Sequence, residues 1–155
     1  MSLSKYESSV KHLARPVGEV YGRLADLRHL EQLKARLADP AVQEKLAANL
    51  PADKLEEARR QLENITFDAD SIELPSPAGN LRLRIIERDE PKCIKLAGED
   101  TPLPLYVWIQ LLPEGDDACK MRVTVGAEVS LFMKPMVSKP LSQAAEGLAA
   151  ILSLV

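Results

Sequence analysis

The sequence predicts an α+β domain in which an antiparallel sheet grips a long C-terminal helix. From Cys119 to Glu128, apolar and polar residues alternate, as in a strand with one buried face. The stretch that follows, up to Val155, is apolar and rich in small residues, which favours a helix lying close to a sheet. About five more strand-like segments precede these two, one of them isolated at the start of the chain. This order leaves one obvious functional place, the space between the sheet and the last helix.

The length, composition and charge of the chain limit the number of domains and the kinds of partner that we expect. The 155 residues fit one domain, 1–155, and 46% hydrophobic residues suffice for a sizeable core. Because 20 basic residues balance 23 acidic ones without a block of like charge, the chain lacks the basic stripe that nucleic acids require. Its apolar runs are shorter than the ~20 residues that span a bilayer. We therefore expect a cytoplasmic protein with no nucleic-acid partner and no integral membrane association.

The first segments read as a strand and a helix. Tyr6, Ser8, Val10 and His12 alternate with polar neighbours, which predicts one strand carrying these four residues on one face. Pro16 then opens a helix whose apolar residues recur at spacings of three and four.

A helical insertion is predicted over residues 28–64, after the first strand. Its leucines recur at spacings of three and four, and new pieces begin at Asp39-Pro40 and Leu50-Pro51. Helices shorter than ~12–15 residues are marginal in water, so these pieces must dock on other parts of the protein. We expect them to form a lid at the mouth of the grip, with hinges at the two prolines.

From Ile65 onward the apolar period is two, which predicts a strand over Ile65–Asp70 and four more further along the chain. A turn is expected at Pro77 to Asn80, between the first two of these strands. In the last helix, Pro140 cannot donate a hydrogen bond to the preceding turn, so a kink or break is expected there.

Three motifs together with the element order carry a family resemblance. They are Pro91-Lys92-Cys93-Ile94-Lys95, Trp108-Ile109-Gln110-Leu111-Leu112-Pro113 and Met136-Val137-Ser138-Lys139-Pro140-Leu141. The chain resembles the SRPBCC superfamily of START-related, birch-allergen-like helix-grip proteins, and more closely the small uncharacterised members from Bacteroidetes-type bacteria. The resemblance implies a six- to seven-stranded antiparallel sheet wrapped around the C-terminal helix, with a hydrophobic cavity between them. Activities in the family range from lipid carriage to polyketide cyclisation and chaperone co-activation, so the fold leaves the function open.

The expected ligand-binding residues face this cavity. The walls are Tyr6, Ser8, Val10, Phe67, Leu83, Ile94, Val107, Ile109, Met121 and Val123 from the sheet, and Met136, Leu141, Ala144, Ala145 and Leu148 from the helix. The hydroxyls of Tyr6 and Ser8 are the polar groups that would orient an otherwise apolar ligand. The sequence thus favours binding or carriage of an apolar or amphipathic small molecule, lipid-like or polyketide-like, without chemistry.

Two alternatives from other classes stay open. A polyketide cyclase-like enzyme would use His12 with Tyr6 as its catalytic pair, because proton transfer needs a positioned acid or base. An interaction module with a solid core would use the face of Tyr106, Trp108 and Gln110. Two histidines and two separate cysteines without metal-ligand spacing predict no metal, and no nucleotide motif predicts a cofactor. A homodimer is left open.

Overall fold

The computed structural model describes residues 2–32, 39–41, 44, 48, 56, 60, 64–76, 79–99 and 104–153. The elements described with their bounds are an eight-stranded antiparallel sheet, two α-helices and a short 3-10 helix, and residues 31–32, 40–41, 44, 48, 56 and 60 are also helical. The strands are β1 (Ser2–Glu7), β2 (Lys11–Leu13), β3 (Thr66–Phe67), β4 (Ser71–Ser76), β5 (Gly79–Asp89), β6 (Cys93–Glu99), β7 (Leu105–Pro113) and β8 (Cys119–Val129). The helices are α1 (Val17–Ala25), the 3-10 helix (Leu27–Leu30) and the C-terminal α2 (Lys134–Leu152).

The sheet order is β1-β8-β7-β6-β5-β4-β3, with β2 also paired to β8. Strands β3 to β8 pair with their neighbours in sequence, and the start of the chain returns to the free side of β8. Helix α2 packs against β8 and β1, and α1 packs against β7. The predicted antiparallel sheet with a long C-terminal helix is confirmed.

The first strand is divided, contrary to expectation. Between the pair Glu7–Thr124 and the pair Lys11–Met121, the first strand advances by four residues while β8 advances by three. One extra residue on one side of an antiparallel pair is a β-bulge, and it reverses which side chains face inward. Lys11 and Leu13 therefore lie opposite the buried Met121 and Cys119, and His12 faces outward.

The strand predicted over Ile65–Asp70 is also shorter than expected. It ends at Phe67, where the Asp68 amide donates to the Ser71 carbonyl at 2.9 Å and closes a turn into β4. The side chains of Asp68 and Asp70 stay largely exposed and contact two different arginines, Arg82 and Arg88. Positions 77 and 78 of the predicted turn lie outside the described residues.

Helix α2 runs through Pro140 without the expected break. Pro140 lacks the N–H that would reach the Met136 carbonyl, and both residues are exposed. Water can therefore hydrogen-bond the carbonyl that the proline leaves free, which makes the proline tolerable.

The leucine stripe after α1 is described only at its start. Leu27 and Leu30 are fully buried with Val20 and Leu24 of α1, as the spacing predicted. Most of the predicted insertion, residues 33–38 and the larger part of 42–63, lies outside the described residues. None of the helices in the described part of the chain is long and apolar enough to span a membrane.

Candidate ligand-binding site between the sheet and the C-terminal helix

The inner face of the sheet is built from apolar residues that stand side by side across the strands. In one row, Ile94, Ile109 and Val123 are register partners and are at most 1% exposed. A parallel row contains Leu96, Val107 and Val125, which are at most 4% exposed. Branched side chains at directly opposed positions fill the space between strands, so the part of this face formed by β6, β7 and β8 is apolar.

Both rows end at a column of hydroxyl groups on the first strand. Tyr6 is the register partner of Val125, and the Ser8 amide donates to the Val123 carbonyl at 2.8 Å. Ser4 and Ser8 are 6% and 7% exposed. The intervening Lys5 lies over the Trp108 ring on the other face of the sheet, so Ser4 and Tyr6 face inward. Helix α2 packs along this same edge.

The hydroxyls of Ser8 and Tyr6 differ in their bonding. Ser8 Oγ donates to the Ser9 carbonyl at 2.8 Å and accepts from the Val123 amide at 3.0 Å, which fastens the bulge to β8. Tyr6 Oη is fully buried, yet it has no hydrogen-bond partner among the described residues. A buried polar group without a partner costs about 1–3 kcal/mol, so the position of this hydroxyl is unfavourable unless a partner is supplied from outside the described residues.

An ion pair closes α2 over the bulge. Glu146 accepts from the Ser9 amide at 3.1 Å and from Ser9 Oγ at 3.0 Å, and it lies 3.2 Å from Lys11 Nζ. Partial burial works to raise the pKa of Glu146, but the hydrogen bonds from Ser9 and the charge of Lys11 outweigh it and lower the pKa below its ordinary value. This contact could not be predicted from the sequence, because the alternation of polar and apolar residues does not reveal the bulge that turns Lys11 inward.

Apart from Tyr6, the predicted wall residues divide into two groups. One group is buried or packs on the core: Phe67, Leu83, Ile94, Val107, Ile109, Met121, Val123, Leu141, Ala145 and Leu148, together with Ser8. The other group does not face the interior: Val10 is 47% exposed, Met136 is 74% exposed, and Ala144 is exposed. Their expected inward placement is therefore wrong, whereas ligand binding by the buried group stays a prediction.

The exposure of Met136 and Ala144 follows from their angular positions around the helix axis relative to the buried Ala145. Met136 precedes the fully buried Ala145 by nine residues, which is about two and a half turns and points it to the opposite side of the helix. Ala144 is rotated by about 100° from Ala145. The buried stripe of α2 instead continues through Ala149 and Leu152, neither of which was in the predicted wall.

The proposed catalytic pair is not brought together. His12 lies outside, with its side chain 68% exposed and Nδ1 2.8 Å from Glu114 Oε1, while Tyr6 faces inward. The two residues therefore occupy opposite faces of the sheet. Within the described part of the chain, no three His, Cys, Asp or Glu side chains converge to hold a metal ion.

The outer face carries the predicted polar and aromatic set. Tyr106, Trp108 and Gln110 lie opposite Val107, Ile109 and Leu111 in β7, as expected. Lys5 and Lys95 place their ammonium groups 5.0 and 5.4 Å from the centroid of the Trp108 ring. The chain's own cations thus cover much of this aromatic surface.

No protein-family model matches the sequence, and no curated protein does. Among solved structures, a START superfamily protein from Mycobacterium smegmatis is similar over 97% of this chain and 94% of its own, with a TM-score of 0.57 and 14% identity. A norcoclaurine synthase from Thalictrum flavum, solved with dopamine and hydroxybenzaldehyde, is similar over 99% of this chain and 86% of its own, with a TM-score of 0.58 and 13% identity. A protein from Thermobifida fusca matches 96% of this chain and 90% of its own, at a TM-score of 0.55 and 15% identity. At such low identity these likenesses show the START-type helix-grip fold alone.

Proposed function

We propose that this START-like chain binds an apolar or amphipathic small molecule between the sheet and α2 and does not transform it. The ligand class is lipid-like or polyketide-like, with one polar group near the end that lies on β1. The apolar rows would receive the body of the molecule, and Tyr6 Oη would bond its polar group.

The single observation that carries this proposal is the unpartnered hydroxyl of Tyr6. It lies at the edge of two apolar rows, on the strand against which α2 packs, and no described residue bonds it, which supports a polar partner supplied by a molecule bound there. Hydrophobic packing alone would be served better by phenylalanine, since a buried hydroxyl without a bond is destabilising.

A cyclase-like enzyme is the less favoured alternative. It needs an acid or base beside the substrate, and the outward position of His12 removes the one histidine near this edge of the sheet. An interaction module on the Trp108 face is disfavoured by the lysines that already lie against the ring.

The remaining proposals concern context. From the sequence we retain the proposals that the protein is cytoplasmic and that residues 28–64 form a lid at the mouth of the grip. We also retain a close kinship with small Bacteroidetes-type members of the superfamily. A homodimer is a further proposal, which sedimentation of the purified protein tests directly.

The test uses neighbouring alanines on α2 as a matched pair. Dansylundecanoic acid should bind native protein with one-to-one stoichiometry and enhanced fluorescence. Ala145→Trp, at a fully buried position, should abolish binding, whereas Ala144→Trp, at an exposed position one residue away, should retain it. Thermal unfolding of both variants verifies the fold, and Leu148→Trp serves as a second, partly buried block if Ala145→Trp does not fold. Absence of any binding to the unmodified chain supports a solid core instead.

The same assay tests the role of Tyr6. Tyr6→Phe removes only the hydroxyl, so displacement of the probe by naphthol should weaken by roughly fivefold, the equivalent of about 1 kcal/mol. Displacement by naphthalene, which cannot form the hydrogen bond, should be unchanged. Equal losses for both competitors would contradict the assigned role.

A further inference from the structure

The turn between β8 and α2 presents a cluster of exposed apolar side chains that the proposed binding site does not use. This apolar tip consists of Leu131, Phe132, Met133 and Met136, which are 83%, 92%, 39% and 74% exposed. Exposed apolar residues that are contiguous, unlike scattered ones, mark a surface that contacts something else.

The apolar tip is held in an ordered turn. The Ser130 carbonyl accepts from the amides of Met133 and Lys134, both at 3.1 Å, and the Met133 carbonyl accepts from the amides of Met136 and Val137. The hydrogen bonds tie the tip to the first turn of α2. Leu131 and Phe132 therefore project from a defined structure at the end of the helix.

The segment that carries the tip is basic although the whole chain is acidic, and the acid that comes before it, Glu128, lies in β8. From Ser130 to Ala145 the sequence contains Lys134 and Lys139 and no acidic residue, whereas the whole chain carries a net charge of −3. Both lysines are exposed, and neither forms an ion pair with a described residue. The nearest acid beyond this segment on α2, Glu146, is engaged by Lys11 and Ser9.

The size of the patch argues against a protein occupant. A stable protein interface uses about 20 to 30 residues on each side, far more than four side chains and two lysines provide. A bilayer needs no complementary partner surface: a few apolar side chains enter the acyl boundary, and flanking lysines reach the headgroups.

We propose that the apolar tip docks the protein peripherally on a bilayer that contains anionic lipid. Leu131 and Phe132 enter the interface, Met133 and Met136 cover its edge, and Lys134 and Lys139 contact the phosphate and carboxylate groups of the lipids. The inference stands on the surface of the turn and does not depend on ligand binding within the grip.

Vesicle flotation tests this proposal. Native protein should float with vesicles of phosphatidylcholine that contain about 30 mol% phosphatidylserine, and much less with phosphatidylcholine alone, because each lysine near an anionic surface contributes about fivefold in affinity. Added salt should weaken the binding. Lys134→Gln and Lys139→Gln should each lower the affinity for the anionic vesicles by about fivefold.

Paired serine variants distinguish vesicle binding by the apolar tip from non-specific binding by other exposed apolar residues. Leu131→Ser with Phe132→Ser should lower vesicle binding by at least tenfold, while Ile86→Ser with Leu112→Ser should leave it unchanged. The control residues are also exposed and apolar, at 54% and 60% exposure, but they lie on strands β5 and β7. The proposal is overturned if native protein floats with neither vesicle, if both pairs behave alike, or if the tip variants only abolish self-association in sedimentation.

Discussion

At the scale of single residues, Gly126 shows how closely the outer face of the sheet is packed. A methyl group at this position would lie 2.6 Å from Cζ3 and 2.9 Å from Cη2 of Trp108, and 3.3 Å from Leu3 Cδ1. The ring sits beside Tyr106, at a centroid distance of 5.9 Å, with Lys5 and Lys95 against its faces. Because glycine has no side chain, the ring of the single tryptophan of the chain can pack against the backbone at position 126.

Gly126→Ala should destabilise the protein by about 1–3 kcal/mol, because the added methyl group displaces the Trp108 ring from its packed position. Urea unfolding followed by tryptophan fluorescence measures both the loss of stability and the changed environment of the ring. Gly147→Ala is the matched control: apart from its own helical turn, no atom of the described residues lies within 4 Å of the added methyl, and alanine favours the helix. It should be neutral or stabilising, and a loss comparable with that of Gly126→Ala would contradict the steric explanation.

At the scale of secondary-structure elements, Glu146 joins helix α2 to the link between β1 and β2. The contact spans most of the chain in sequence, and it fastens the helix at the edge where Tyr6 and Ser8 lie. Since the pKa of Glu146 is lowered in the folded state, its ionised form stabilises the fold.

Glu146→Gln should lower the free energy of unfolding at neutral pH by roughly 0.5–1.5 kcal/mol, a range that allows for the partial exposure of the carboxylate. The contribution is fully present above the ordinary pKa of 4.5 and is lost as the pH falls through the lowered folded value. The difference between variant and native protein in urea unfolding should therefore shrink as the solution is acidified below that pKa.

Glu19→Gln provides the control for this prediction. Glu19 pairs with Arg15 and Arg23, residues four positions away on either side, so its removal tests a local ion pair and not a link between elements. Its cost should stay within about 0.5 kcal/mol. A pH-independent deficit in Glu146→Gln would contradict the role given to the carboxylate.

At the scale of the whole molecule, the meander β3 to β8 forms a continuous hydrogen-bonded sheet, and the predicted insertion would cover the mouth of the grip. Lids belong to the less stable parts of a structure, whereas central strands exchange their amides only in global unfolding. Amides across residues 39–64 should therefore exchange faster than those of β7 and β8. Binding of dansylundecanoic acid should slow exchange in 39–64. Mass spectrometry measures these exchange rates. Exchange in 39–64 that is as slow as in the strands and does not change when the ligand binds would show that the segment is fixed core structure and not a lid.

The alternation in β7 and β8 determined by itself which residues line the inner face. Val107, Ile109, Met121 and Val123 are all buried, because strand geometry sends alternate side chains to opposite faces wherever pairing is uninterrupted. The same logic placed Trp108 on the outer face. The order of strands and helices likewise predicted the antiparallel sheet with its C-terminal helix, since sequential strands tend to pair with their neighbours.

Only the tertiary structure decided at which positions the alternation fails to predict the direction of a side chain. One extra residue between Glu7 and Lys11 turns His12 outward and Lys11 toward Glu146, and the pattern of polar and apolar residues reads the same with or without this bulge. Met136 and Ala145 lie on opposite sides of α2 by their spacing, and the packing of the helix on the sheet decided that Ala145 is buried and Met136 faces solvent. Local periodicity determines which residues share a face, whereas register and helix rotation depend on partners distant in sequence.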